Sequence, residues 1–317
     1  MTTALVFPGQ GSQAVGMGKA LADAFPAARE VFERVDAALG EALSKTIFAG
    51  PEAELTLTAN AQPALMATSL AALRALESEA GLDVKRDAAF VAGHSLGEYS
   101  ALCAAGALTL EDTARLLRLR GEAMQKAVPV GEGAMAAIIG LDFDAVAALA
   151  AEAAAEGGVC AAANDNGAGQ VVISGAKSAV ERAIALAKAK GAKRALPLPV
   201  SAPFHCALML PAAKAMAEAL KTTAIRALKA PLVANVSAVA VSDPEVIRAG
   251  LVAQVTGTVR WRESMAFMRA NGATRFVELG AGKVLAGLIK RAVAGASAIS
   301  VGAPADVAAF AAFAAAG

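Results

Sequence analysis

Chemically versatile residues are scarce in this chain of 317 residues: it has two histidines and three cysteines. One histidine sits beside a serine in Gly93-His94-Ser95-Leu96-Gly97. This string fits G-x-S-x-G, a tight strand-to-helix turn that exposes the serine Oγ. Its small glycines let the backbone bend, and free N–H groups at the helix start face an oxyanion. Alone, the pentapeptide also describes a glycine-rich turn. The apolar run before it and the helical stretch after it favour a nucleophile. A serine hydroxyl needs a base to attack at neutral pH. His94, next to Ser95 on the turn, is expected to point away from it in a structural role. That leaves His205, in the proline-stiffened loop Pro199-Val200-Ser201-Ala202-Pro203-Phe204-His205. A buried histidine satisfied by backbone is the competing reading, but with Ser95 present and no other candidate, His205 is the expected base. A base so placed is worth about 10²–10⁴ in rate.

A third string, Phe7-Pro8-Gly9-Gln10-Gly11-Ser12-Gln13, allows two readings. Gly9-x-Gly11-x-x-Ala14 after a strand could be a dinucleotide fingerprint, although polar Ser12 and Gln13 follow and no acid ends a second strand at the required distance. Otherwise it is an open loop donating a backbone N–H to a neighbouring site. A Walker A loop is excluded, because Lys19 is followed by Ala20. The rest of the composition narrows the field. A net charge of +1 without a basic block argues against nucleic-acid binding. Cys103, Cys160 and Cys206 form neither a disulfide framework nor a zinc cluster with two histidines, which points to a reducing, cytoplasmic setting. Residues 195–213 are uncharged but hold four prolines and His205, so no membrane span is expected. The first eighteen residues lack the basic start of a signal peptide.

The elements that must position these residues follow from apolar runs and their breaks. Residues 4–7, 87–92, 231–235 and 274–278 read as buried strands. Helical stretches at 64–80, 96–107 and 211–220 alternate with them, giving an α/β fold with a mostly parallel sheet. Residues 127–197 differ. Strand 133–139, helix 142–156 capped by Asp142, strand 159–163, turn 164–169 and strand 170–174 are followed by a second helix and strand 193–198. Val180, Ala183, Ile184 and Ala187 give that second helix its i, i+3, i+4, i+7 face. This is the βαββαβ order of a ferredoxin-like unit. It is expected as an insert, 127–197, in a catalytic domain of residues 1–126 and 198–317. The alanine-rich tail after Pro304 is expected to fray.

Taken together, Phe7-Pro-Gly-Gln-Gly-Ser-Gln13, Gly93-His-Ser-Leu-Gly-Glu-Tyr99, Arg118-Leu-Arg-Gly121 and Pro203-Phe-His205 closely resemble the malonyl-CoA:acyl carrier protein transacylases of fatty-acid and polyketide synthesis. The likeness extends over about residues 3–300 in order and spacing. It implies an α/β-hydrolase-like core carrying the ferredoxin-like insert. By the same likeness Ser95 attacks the malonyl thioester, and His205 takes its proton and returns one to the leaving thiol. The backbone N–H groups of Gln10 and Leu96 form the oxyanion hole, and Arg120 clamps the malonyl carboxylate. Gln254 lines up with the residue that accepts from His205, a neutral amide where a hydrolase would place Asp or Glu. Phe204 matches the malonyl-selective pattern, its ring shortening the pocket beside the α-carbon. Ala281, in Leu279-Gly-Ala-Gly-Lys283, replaces the usual proline of that loop.

The resemblance further implies a ping-pong transfer from malonyl-CoA to the phosphopantetheine thiol of acyl carrier protein. The coenzyme A thioester is then a substrate, and no metal or bound cofactor is needed. A monomer is expected. Two basic groups could meet the acidic carrier protein: Lys188, Lys190, Lys193 and Arg194, or Lys283, Lys290 and Arg291. One rival is a serine thioesterase or esterase on the same turn, for which a buried Arg120 would be a burden. The other is a dinucleotide-binding module indifferent to Ser95.

Overall fold

Strand β1 (Thr2–Phe7) shows why the main sheet is buried on both faces. Leu5 and Phe7 enter one apolar core, and Ala4 and Val6 enter another on the opposite side. In β2 (Ala88–Gly93), Val91 and Ala92 divide in the same way. Near-continuous apolar runs of this kind suit parallel strands covered by helices on both sides. The computed structural model describes residues 2–200 and 202–315.

A six-stranded sheet has the order β10-β9-β1-β2-β7-β8. Its later members are β7 (Leu232–Val233), β8 (Ala240–Val241), β9 (Ala273–Leu279) and β10 (Ser297–Val301). All neighbours are parallel except the β7–β8 pair. Phe7 lies beside Gly93, Ala92 beside Val233, and Val6 beside Glu278. The carboxyl ends of these strands are thus level, and the loops leaving them share one edge. That edge is where open α/β sheets hold ligands.

The second sheet is antiparallel, in the order β4-β5-β3-β6. It comprises β3 (Gly133–Ile139), β4 (Cys160–Asp165), β5 (Gln170–Ala176) and β6 (Arg194–Pro197). Helices Phe143–Ala155 and Lys177–Ala189 complete the βαββαβ order and close a separate core around Ile138, Leu149, Ile173 and Val180. Asp142 caps the first helix, its side chain accepting from the Ala145 N–H at 2.8 Å. The unit is joined to the segment before helix Trp261–Ala270, where Val259 exchanges backbone hydrogen bonds of 2.9 Å with Ala163 and Asp165 and Arg262 donates to Asp165 at 2.8 Å.

Several boundaries differ from the sequence reading. Asn164 and Asp165 belong to β4 rather than to the following turn, because they continue the ladder with β5 opposite Val172 and Val171. The strand read over 231–235 pairs only at Leu232–Val233, since Asn235 turns away to serve the site. The tail after Pro304 forms helix Pro304–Ala315, with Val307 and Phe310 in the main core. Helix Thr58–Ala80 begins six residues early and carries Pro63 inside it.

Candidate active site

The turn between β2 and helix Gly97–Ala104 is a sharp elbow. Ser95 has φ of 54°, a left-handed conformation that costs a non-glycine residue about 1–3 kcal/mol. The flanking glycines make the bend sterically feasible. A Cβ on Gly93 would lie 1.9 Å from the Gly97 carbonyl, and one on Gly97 would lie 2.2 Å from the Phe7 oxygen. The elbow is tied down from behind, where Asn235 accepts from the Ser95 N–H at 2.8 Å and donates to the Gly93 carbonyl at 2.7 Å.

Ser95 Oγ lies 2.8 Å from His205 Nε2. The other ring nitrogen of His205, Nδ1, faces two main-chain carbonyls, Gln254 at 2.9 Å and Gly257 at 3.1 Å. Carbonyls only accept, so Nδ1 carries the proton and Nε2 presents its lone pair to the serine. This corrects the expectation for Gln254: its backbone oxygen, not its side-chain amide, holds the imidazole. Burial and then the nearby Arg120 charge push His205 down to about 3. The resting imidazole is therefore neutral. His94 Nε2 lies 2.9 Å from Asn166 Oδ1 with its ring against Trp261, and both His94 and Asn166 line the same cleft as Ser95.

Arg120 comes from helix Leu110–Ala127 and is 1% exposed. Gly121 beside it allows the close approach, because a Cβ there would sit 2.5 Å from the Thr58 carbonyl oxygen. The guanidinium donates to Gln62 Oε1 at 2.7 Å, Gln254 Oε1 at 2.8 Å and Ser95 Oγ at 3.2 Å. It also lies 5.7 Å from the centre of the Tyr99 ring. Its Nε has no partner, and among the described residues it makes no ion pair. Such a cation is expensive to bury and is poised for an anion. Arg118, two residues earlier, is spent on Asn60 and Glu41.

Loop 8–13 leaves β1 and lies against the elbow; the next helix starts only at Lys19. That geometry removes the dinucleotide reading, which requires a helix opening on the glycines. The His94 N–H donates to Phe7 O at 3.0 Å, and a Cβ on Gly9 would press on the His94 oxygen at 2.8 Å. Among the described residues, neither the Gln10 nor the Leu96 N–H donates a hydrogen bond. Gln10, Ser95, Phe204 and His205 line one cleft of about 860 Å³ between the two sheets. The loop holding Ala281 is braced without proline: buried Glu278 accepts from Leu285 and Ala286 N–H at 3.0 and 2.9 Å.

Sequence reasoning missed four polar residues that organise this centre: Gln62, Glu98, Asn235 and Asn166. Glu98 carried a signal, being the only charged residue between Asp87 and Glu111. It is 1% exposed, and desolvation raises its pKa from 4.5 to about 7. Between those values the folded protein holds a proton that the unfolded chain has lost. Stability therefore falls as pH rises through that window, and the loss is complete above about 7. Glu98→Gln mimics the protonated acid. It should raise Tm near pH 8, an effect that fades once the pH drops below about 4; a pH series of thermal melts measures this.

The acyl transferase domain model matches residues 4–314. The malonyl CoA-acyl carrier protein transacylase of Escherichia coli (strain K12) is 50% identical over 290 residues, 92% of each chain. The crystal structure of acyl-carrier-protein-S-malonyltransferase from Bartonella henselae superposes with a TM-score of 0.96 at 57% identity, covering 99% of this chain and 100% of that one. A malonyl-transacylase solved in complex with a type II PKS acyl-carrier protein matches at TM-score 0.93 and 45% identity, covering 97% and 98%. With the elbow, the paired histidine and the buried arginine all on one chain, the protein belongs to the acyl transferase family and, within it, to the malonyl CoA-acyl carrier protein transacylases.

Proposed function

We propose that this enzyme transfers malonyl from malonyl-CoA to the phosphopantetheine thiol of acyl carrier protein, in fatty-acid synthesis, through a malonyl-Ser95 intermediate. The observation that carries the reading is Arg120, a buried cation 3.2 Å from Ser95 Oγ that forms no ion pair among the described residues. A malonyl group esterified at Ser95 ends in a carboxylate that supplies the missing charge, as a bidentate, charge-assisted pair. His205 Nε2 accepts the serine proton as Oγ attacks the thioester carbon. The negative oxygen then faces the unoccupied N–H groups of Gln10 and Leu96, and collapse expels the coenzyme A thiol, which takes the proton from His205. The carrier thiol repeats the sequence in reverse. Phe204, in the wall of the cleft, limits the space beside the α-carbon.

Holding the imidazole by carbonyls rather than by a carboxylate separates this site from serine hydrolases, whose Asp stabilises the imidazolium. We take the enzyme to act as a monomer on the two thioester substrates, without a bound cofactor. Residues 127–197 are taken as a separate insert, because their core is their own. The three cysteines are free and buried, which suits the cytoplasm. For the carrier protein we favour Lys283, Lys290 and Arg291: Val284, Leu285 and Leu288 of the same segment line the cleft, whereas Lys190 pairs with Glu152. Mixing enzyme, malonyl-CoA and phosphopantetheinylated carrier protein should yield malonyl-carrier thioester and free coenzyme A in equal amounts. Release of free malonate in place of the thioester would assign a thioesterase instead.

A further inference from the structure

Gln254 lies at the middle of a buried chain of charge that the reaction steps above leave unused. Its Nε2 is surrounded by oxygens: Glu98 Oε2 at 2.7 Å, the Ser95 carbonyl at 2.9 Å and Asn235 Oδ1 at 3.3 Å. Three acceptors there fix the amide nitrogen on that side, so its oxygen must face Arg120, which donates at 2.8 Å. The same Glu98 Oε2 accepts from the Asn235 N–H at 3.1 Å. Asn235 in turn holds the Ser95 N–H. Gln254 and Asn235 are wholly buried, and Glu98 nearly so.

We infer that Glu98 is a positioning residue for acyl selectivity: through the Gln254 amide it holds Arg120 over Ser95 Oγ without neutralising it. A carboxylate in direct contact with the guanidinium would form the ion pair that the substrate must form. Set back by one amide, the acid anchors the cation's support while the guanidinium stays open to a ligand carboxylate. Burial raises the pKa of this acid to about 7, so keeping it there costs stability once the pH exceeds the ordinary carboxylate range. Among the described residues, the charged or titratable groups that act on it are Arg120 from helix Leu110–Ala127 and its own neighbour Tyr99. The inference rests on Arg120 as the malonyl clamp.

The test is the ratio of kcat/KM for malonyl-CoA to that for acetyl-CoA, because damage to the elbow alone lowers both together and leaves the ratio unmoved. Glu98→Leu, which can anchor neither Gln254 nor Asn235, should lower the ratio about tenfold or more. Glu98→Gln keeps an oxygen for both donors and should hold the ratio within about threefold. Gln254→Met leaves the main-chain carbonyl on His205 intact and should reproduce the fall, which keeps the test alive if Glu98→Leu does not fold. Arg120→Ala runs in parallel. If it abolishes selectivity while Glu98→Leu or Gln254→Met leaves the ratio at the wild-type value, the inference is overturned. If Glu98→Gln loses selectivity as Glu98→Leu does, positioning by hydrogen bonds is overturned. If Arg120→Ala itself leaves the ratio unchanged, the clamp reading fails, and this inference with it.

Discussion

Ser95→Ala should reduce malonyl transfer by about 10⁴–10⁶-fold while leaving binding of malonyl-CoA within a few-fold of wild type. The size follows from how many groups converge on one oxygen. Ser95 Oγ contacts His205 at 2.8 Å and Arg120 at 3.2 Å, at the tip of an elbow whose strain exists to present it. Without that oxygen no covalent bond can form, and the oxyanion donors retain only a direct, unassisted exchange between thioester and thiol. His205→Ala should fall in the same range, because nucleophile and base act as a unit and their losses do not add. Steady-state transfer rates with isotope-labelled malonyl-CoA, together with equilibrium binding, separate the two quantities. A Ser95→Ala enzyme within about tenfold of wild type would place the nucleophile elsewhere.

The second large effect concerns which acyl group is carried. Arg120→Ala should lower kcat/KM for malonyl-CoA by about 10²–10³-fold, the range for truncating one partner of a buried charge pair. Acetyl transfer should be spared or should improve, for an electrostatic reason. In the free enzyme the guanidinium charge is one of the causes that hold His205 at about 3. A malonyl carboxylate neutralises that charge as it binds, whereas an acetyl group leaves it facing the imidazolium that forms during attack. Removing the arginine relieves the neutral substrate of this penalty and deprives the anionic one of its partner. Rates for both coenzyme A thioesters on one enzyme preparation test the sign. Equal losses for the two would remove Arg120 from substrate recognition.

Legibility differed among the parts for physical reasons. Ser95 and His205 could be paired from sequence because two histidines leave few options, and the 2.8 Å contact brings together residues 110 positions apart. Gly93 and Gly97 announced the elbow because only glycine fits against the Gly97 and Phe7 carbonyls. Arg120 could not be singled out by local pattern. Its partners, Gln62, Ser95 and Gln254, come from three distant segments, and on its own helix it looks like Arg115 and Arg118. For Gln254 the sequence indicated the position but not the atom, since backbone carbonyls have no sequence signature. The long apolar strands and the βαββαβ periodicity were readable. The strand at Leu232–Val233 was legible as the apolar run 231–235 but its short pairing was not, the pair Ala240–Val241 is too short to leave a pattern, and β10, Ser-Ala-Ile-Ser-Val, is too polar to stand out as an apolar run.

The central claim is a covalent malonyl group on one named oxygen. Intact-protein mass spectrometry after mixing the enzyme with malonyl-CoA, without carrier protein, reads it directly. The account predicts a mass increase of one malonyl group, mapped by fragmentation to Ser95, absent from Ser95→Ala, and discharged when carrier thiol is added. An unmodified wild-type enzyme, or an adduct that persists in Ser95→Ala, would contradict it.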